Sequence, residues 1–432
     1  MDPAITTLCV LAVAAFLFVT ELIPLAVTAM AACTALGILG VLPSKQVYAG
    51  LSNSTVVLFG GMFVIGAAMF KTGLAEAVGL WVVNKAGTKE VPLMGAIMVV
   101  TIALSAVSSN TGTVACLMPV IVGIANAAHI PASKELMPLA VAANVGGTIT
   151  MIGTPPNVIV TGALSAAGLP SFGFFEFALI GVPLSVIVLA YMLTIGRKTI
   201  PIKNAGAMDA DAVEAAKKEA GAGDDDAPKS KTKMWISGLI LLGVVAAMAL
   251  NLKTVPLQTA AVTGAILCVI TGCLKEKEAY AGIDWVTIFL FAGMLSVATA
   301  MDKTGAGKLI ADTVVGMMGE HPNPIILCAV LYLISNVLTQ FMSNTASAAL
   351  LAPIGISIAQ SIGADPKPVL MAIGIAASMA FATPMATPPN TLVLGPGGFN
   401  FNDYVKVGVP LCIITFIASV IIIPIFWPFF PG

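Results

Sequence analysis

Ser109-Asn110-Thr111 and Ser343-Asn344-Thr345 interrupt long apolar stretches, and each is followed by a second polar run, Gly153-Thr154-Pro155-Pro156-Asn157 and Ala386-Thr387-Pro388-Pro389-Asn390. The interruptions recur at nearly one interval: Asn344 repeats Asn110 at an offset of 234, and Thr387 repeats Thr154 at an offset of 233. Backbone that leaves regular helix at membrane depth is tolerated only where protein buries it or a watery cavity solvates it. A single Ser-Asn-Thr run reads more naturally as a surface turn, and a single Thr-Pro-Pro-Asn as a proline kink. Four breaks in a doubled pattern reverse that reading and mark a binding site.

Composition places these breaks in a membrane. The 432 residues are 58% hydrophobic and 9% charged, with a mean hydropathy of +1.00, which describes an all-α polytopic membrane protein. A net charge of −1 and the lack of Lys/Arg clusters interleaved with aromatics exclude a nucleic-acid partner. The seven cysteines lie in apolar segments without a CxxC pair, so they read as small buried thiols, not as a disulfide framework or zinc site. No positive region precedes the first apolar run, so the first span is expected to stay in place.

The chain then divides into two halves. In 1–198, apolar spans 5–20 and 24–42 precede a stretch 54–86 broken at Lys71-Thr72-Gly73. A re-entrant hairpin over 91–128, with limbs 91–107 and 113–128, holds the first Ser-Asn-Thr at its tip. A broken helix over 134–167 and a crossing over 172–195 follow. The stretch 199–233 carries six Lys and seven Asp/Glu and reads as an aqueous linker. In 234–432 the order repeats: spans 235–250, 255–273 and 285–300, a break at Lys303-Thr304-Gly305, a hairpin over 324–362, a broken helix over 368–394 and a last span 404–426. Tyr48-Ala49-Gly50 recurs as Tyr280-Ala281-Gly282 and Gly61 as Gly293, both at an offset of 232.

Five spans, an odd number, separate the two hairpins, so they enter from opposite sides. The repeats are therefore expected to be inverted in topology, as in secondary transporters with a midplane site. Lys/Arg placement puts the linker in the cytoplasm. The first hairpin then faces the cytoplasm and the second faces outward, with both chain ends outside on a count of ten spans.

The breaks have their own chemistry. A helix N-terminus offers unpaired N–H groups to an anion, and the preceding C-terminus offers bare carbonyls to a cation. Ser, Thr and Asn add neutral oxygens and donors beside them. The only arginine, Arg197, lies at a membrane edge. A charge at the bilayer centre is costly, so an anion bound there needs a co-bound cation, and Na⁺ suits this oxygen set.

These four motifs, in this order along essentially the whole chain, resemble the signature of the divalent anion/sodium symporter family. The resemblance implies a homodimeric elevator-type transporter, with a scaffold domain and a moving transport domain built of the hairpins and broken helices. It implies about two sodium sites: Ser105, Ser109, Asn110 and Gly153 at the first tip, and Thr339, Met342, Asn344 and Ala386 at the second, with Met342 and Ala386 acting through carbonyls. It places Asn110, Thr111, Ser343, Asn344 and Thr345 against the anion, with Thr154 and Thr387 nearby. Gly112-Thr113-Val114 departs from the small-residue pattern that Ala346-Ser347-Ala348 keeps.

The expected function is sodium-coupled symport of a small divalent anion, a C4-dicarboxylate such as succinate, malate or fumarate, in the cell membrane. A dicarboxylate/citrate exchanger or a sulfate-type oxyanion transporter fits the same scaffold. An enzyme is not expected, because the breaks contain no His, Asp or Glu to serve as base or ligand. A proton-driven antiporter wants an intramembrane carboxylate, and Glu21, Asp284 and Asp302 read as interfacial. His129 and His321 at helix ends, the two Lys-Thr-Gly runs and the 21 methionines read as loop, helix-end and packing residues.

Overall fold

A computed structural model describes residues 2–87, 89–203, 214, 230–250, 255–318 and 323–431. Residues 204–213 and 215–229 of the expected linker 199–233 lie outside the described residues, as does His321. Among the described residues every regular element is helical, and seven helices are long and apolar enough to cross a membrane.

Local sequence sets the helix ends. Helix α1 (Pro3–Thr20) starts on Asp2, whose side chain accepts from the Ala4 N–H, and stops at Glu21 in the left-handed region, φ 49°. Helix α2 (Leu25–Ile38) follows Pro24. Asn53 caps α3 (Ser54–Lys71), and Gly73 at φ 79° separates it from α4 (Leu74–Ala86), so the first Lys-Thr-Gly run is a helix end. Then come α5 (Glu90–Ser105), α6 (Asn110–Ala127), α7 (Ala132–Gly146), α8 (Pro155–Ala166) and α9 (Ala178–Tyr191). The second half holds α10 (Lys231–Ala249), α11 (Leu257–Ile270), α12 (Trp285–Thr304), α13 (Ala306–Met318), α14 (Pro324–Thr339), α15 (Asn344–Ser361), α16 (Pro366–Ser378), α17 (Pro388–Leu394) and α18 (Phe401–Phe426). Gly305 at φ 74° ends α12 as Gly73 divides α3 from α4.

Several expectations need correction. The Ser-Asn-Thr runs are not wholly loops. Ser109 is an N-cap whose hydroxyl accepts from the Gly112 N–H, and Asn110 and Thr111 form the first turn of α6; α15 likewise begins at Asn344. The prolines do not break the broken helices. They start the second limbs, α8 and α17, at positions where a missing N–H costs nothing. The breaks lie earlier, over 147–154 and 379–387. The crossing expected from residue 172 is helical only from Ala178, because the Glu176 carboxylate accepts from the Gly173 N–H and holds a turn. Among the cysteines, Cys9 is exposed and Cys116 and Cys412 are only half-buried. Glu135, in the first turn of α7, is fully buried, and neither of its oxygens has a hydrogen-bond partner among the described residues.

The packing is reciprocal between halves. Helix α2 lies along α12 and α3 along α11. A Cβ on Gly61 would stand 2.8 Å from the Ala261 backbone, and one on Gly293 would stand 2.7 Å from that of Ala29. Ala29 and Ala261 share the glycines' offset of 232. Small residues let the backbones meet where lipid gives helices no hydrophobic reason to associate. A second layer repeats the exchange: α5 packs on α7 and α14 on α16, while α8 lies against α15 and α16 and α17 lies against α6 and α7. Each second limb thus rests on the other half's hairpin and first limb, which brings both tips and both breaks to one place.

Candidate functional site

The tips and breaks enclose a cavity of about 940 Å³. One wall comes from Ser109, Asn110, Thr111, Gly153 and Thr154 and from Ser343, Asn344, Thr345, Ala386 and Thr387; the other is largely apolar, from Phe59, Met62, Phe63 and Phe70 of α3. All seven residues expected to face an anion therefore line one space. Of those expected to hold sodium, Ser109, Asn110, Gly153, Asn344 and Ala386 line it, and Ser105 and Thr339 lie directly behind, fully buried. Met342 is buried and not part of the lining.

Behind the first tip, the Ser105 hydroxyl lies 2.5 Å from Asn110 Oδ1 and 2.8 Å from the Ala143 carbonyl. The same Asn110 oxygen stands 3.1 Å from the carbonyl oxygens of both Ala143 and Gly153. Behind the second tip, the Thr339 hydroxyl lies 2.6 Å from Asn344 Oδ1 and 2.7 Å from the Ala377 carbonyl. One hydroxyl proton cannot serve two acceptors, so at each tip either the amide turns its NH₂ toward the hydroxyl or oxygens face one another. At Asn110 two arrangements relieve this: the amide turns its NH₂ onto the carbonyls, or a cation draws the oxygens together. Gly147 makes room for either, because a Cβ there would lie 2.6 Å from Asn110 Oδ1.

The breaks are tied down by amides, of which the sequence reading quoted Asn157 and Asn390 in its motifs without a role and left out Asn144, Asn336 and Gln340. Asn157 Nδ2 donates to the Gly147 and Thr150 carbonyls at 3.3 and 2.9 Å, and Asn390 Nδ2 donates to those of Ala380 and Thr383, both at 2.9 Å. The second break has further ties: Asn336 Nδ2 donates to Ala376 and Met379 carbonyls, and Gln340 accepts from the Ala382 N–H. Asn144 on α7 reaches across to Thr387 and Asn390. The available signal was the rarity of amides inside apolar helices.

On the anion side, the first-turn N–H groups of α6 and α15 have no intrahelical acceptor and stand at the cavity wall with Asn110, Thr111, Asn344 and Thr345. The Pro-Pro starts of α8 and α17 contribute no such donors, so there only the Thr154 and Thr387 hydroxyls serve. Among the described residues no Lys, Arg or His lines the cavity, whereas Glu21 and Asp284 do.

Both the sequence and the fold have relatives. Residues 15–366 match the sequence model of a family described as citrate transporter. The chain belongs to that family. Among its relatives is the uncharacterized transporter YfbS of Escherichia coli (strain K12), 25% identical over 98% of this chain and 99% of the relative. Another is the sodium-dependent dicarboxylate transporter SdcS of Staphylococcus saprophyticus, 26% identical over 94% of this chain and 83% of the relative. The solved structure of the Alcanivorax borkumensis YdaH transporter aligns over the full length of both chains with a TM-score of 0.66 at 14% identity, which shows a shared fold. This member of the citrate transporter family is accordingly an integral membrane transporter and not an enzyme.

Proposed function

We propose that the protein is a sodium-coupled symporter of a small divalent anion, most simply a C4-dicarboxylate such as succinate, malate or fumarate. The observation that carries this reading is the cluster of oxygens behind both tips, where the Ser105 and Thr339 hydroxyls lie 2.8 and 2.7 Å from the Ala143 and Ala377 carbonyls, beside helix N-termini and with no basic side chain among the described residues that line the cavity. Sodium at Ser105, Ser109, Asn110 and Gly153, and a second ion at Thr339, Met342, Asn344 and Ala386, supplies the positive charge that the cavity lacks. With sodium bound, Asn110 presents its oxygen inward. Without it, the amide turns its NH₂ onto the Ala143 and Gly153 carbonyls and the anion loses its counter-charge. Asn110, Thr111, Ser343, Asn344 and Thr345 then hold the two ends of the acid, with Thr154 and Thr387 alongside.

The reciprocal packing supports an inverted-topology repeat: 1–198 and 234–432 exchange contacts at one offset, joined by the cytoplasmic linker 199–233. In this reading α2, α3, α11 and α12 belong to the scaffold, which pairs with a second copy in a homodimer. The two hairpins and the two broken helices form the elevator-type transport domain. SdcS, described as a sodium-dependent dicarboxylate transporter, is in keeping with this substrate class.

Labelled succinate uptake into proteoliposomes tests the reading. Accumulation driven by an inward sodium gradient is expected, and uptake indifferent to that gradient would overturn the coupling. The family's description favours citrate as a second candidate, and about 940 Å³ has room for a tricarboxylate. Uptake that depends on substrate in the opposite compartment, without sodium, identifies an exchanger instead.

A further inference from the structure

Asn144 is 1% exposed, stands at the cavity wall and joins the two halves of the site. Its amide orientation follows from fixed points. Asn390 Nδ2 is committed to the backbone carbonyls of Ala380 and Thr383, so Asn390 Oδ1 is left as an acceptor. Asn144 Nδ2 gives one proton to that oxygen, at 3.1 Å, and the other to Thr387 Oγ1, at 3.2 Å. Having accepted there, the Thr387 hydroxyl keeps its own proton, which no group among the described residues takes, and Thr387 lines the cavity. The first half has no such relay. The counterpart of Asn144 in the second half, at the offset that relates Asn110 to Asn344, is Ser378, whose hydroxyl donates to the Gly374 carbonyl of its own helix at 3.1 Å. Among the described residues Asn157 Oδ1 is buried without a donor, and the Thr154 hydroxyl makes no hydrogen bond.

We propose that Asn144 is a positioning residue that commits the Thr387 hydroxyl to donate to an oxygen of the bound anion. The two ends of the substrate are then treated differently. The group beside Thr387 must be a full acceptor, a carboxylate or other oxyanion, whereas Thr154 turns freely and takes either an acceptor or a donor such as a substrate hydroxyl. This rests on the anion-symport reading above.

The test uses the full-length protein in proteoliposomes with labelled succinate at saturating sodium. Asn144→Ser, which mirrors Ser378, and Thr387→Val, which keeps the shape and loses the hydroxyl, are each expected to raise KM about tenfold, the scale of one hydrogen bond to a charged group. Vmax stays at the wild-type value, as does the sodium midpoint in a separate titration with succinate held at each protein's own KM. Because Asn144 acts through Thr387, the double variant is expected to be no worse than either single one. Wild-type KM in Asn144→Ser, multiplied effects in the double variant, or a change confined to Vmax or to sodium dependence overturns the assignment. Should Asn144→Ser fail to fold, Asn144→Leu replaces it with the same outcomes. Wild-type protein that neither transports nor is stabilised by succinate, citrate or sulfate with sodium overturns the anion reading itself, and this assignment with it.

Discussion

Asn110 and Gly147 show how closely the first tip is fitted. A methyl group on Gly147 would lie 2.6 Å from Asn110 Oδ1 and 2.9 Å from the Gly153 carbonyl oxygen, closer than unbonded heavy atoms tolerate. Gly147→Ala is expected to leave a folded protein whose sodium affinity is at least about tenfold weaker, read as the sodium dependence of thermal stabilisation. An unchanged sodium midpoint would show that the Asn110 oxygen does not take part. Asn344→Ala is expected to abolish stabilisation by succinate and to reduce that by sodium, since Asn344 lines the cavity proposed to hold the anion and sits beside the Thr339 hydroxyl. The paired Ser-Asn-Thr runs were readable from sequence because three consecutive polar residues have no packing role in an apolar stretch. Asn144, Asn336 and Gln340 were not, because a lone amide in an apolar helix gives no hint of which distant carbonyl it meets.

Helix ends explain most of the difference between expected and observed elements. Hydropathy reports where a chain is apolar, but the start of a helix is set by caps. Asn110 therefore belongs to α6 through Ser109, and the prolines open α8 and α17 when composition alone would have them close a helix. The repeated glycines were visible as an interval, whereas their purpose needed coordinates: Gly61 lies on Ala261 and Gly293 on Ala29. Gly61→Leu is expected to push α3 from α11 and to lower stability by about 1–3 kcal/mol, as overpacking does, measurable as a fall in Tm in detergent. Between α3 and the short helix Glu276–Ala281, Lys71 Nζ lies 2.7 Å from Glu278 Oε1. Burial works to raise the Glu278 pKa, but the Lys275 N–H and the Lys71 ammonium outweigh it and hold the carboxyl below its usual value. A lowered carboxyl stabilises fully above its unfolded pKa of about 4.3 and loses that contribution as pH falls through the folded value. Glu278→Gln is therefore expected to lower Tm near pH 7, and the difference from wild type is expected to shrink below about pH 4.

Taken together, the helices make a cavity whose lining holds two carboxylates, Glu21 and Asp284, and no basic side chain among the described residues. At low sodium such a wall repels its substrate, so succinate alone is expected to give no thermal stabilisation, and the shift with both ligands should exceed that with sodium alone. Equal stabilisation by succinate in potassium and in sodium buffers would count against coupling. The recurring offset between motifs suggested two halves, but the contacts of each second limb with the other hairpin could not be anticipated, because no interval in a sequence says which helices a limb leans on. The crossed contacts of α2 with α12 and α3 with α11 have one more implication. Each half carries a glycine-lined seam that only its sibling fills, so neither is a self-sufficient unit. Cut between residues 204 and 229, the two fragments made separately should be degraded or aggregate, while co-expression should restore a complex that co-purifies.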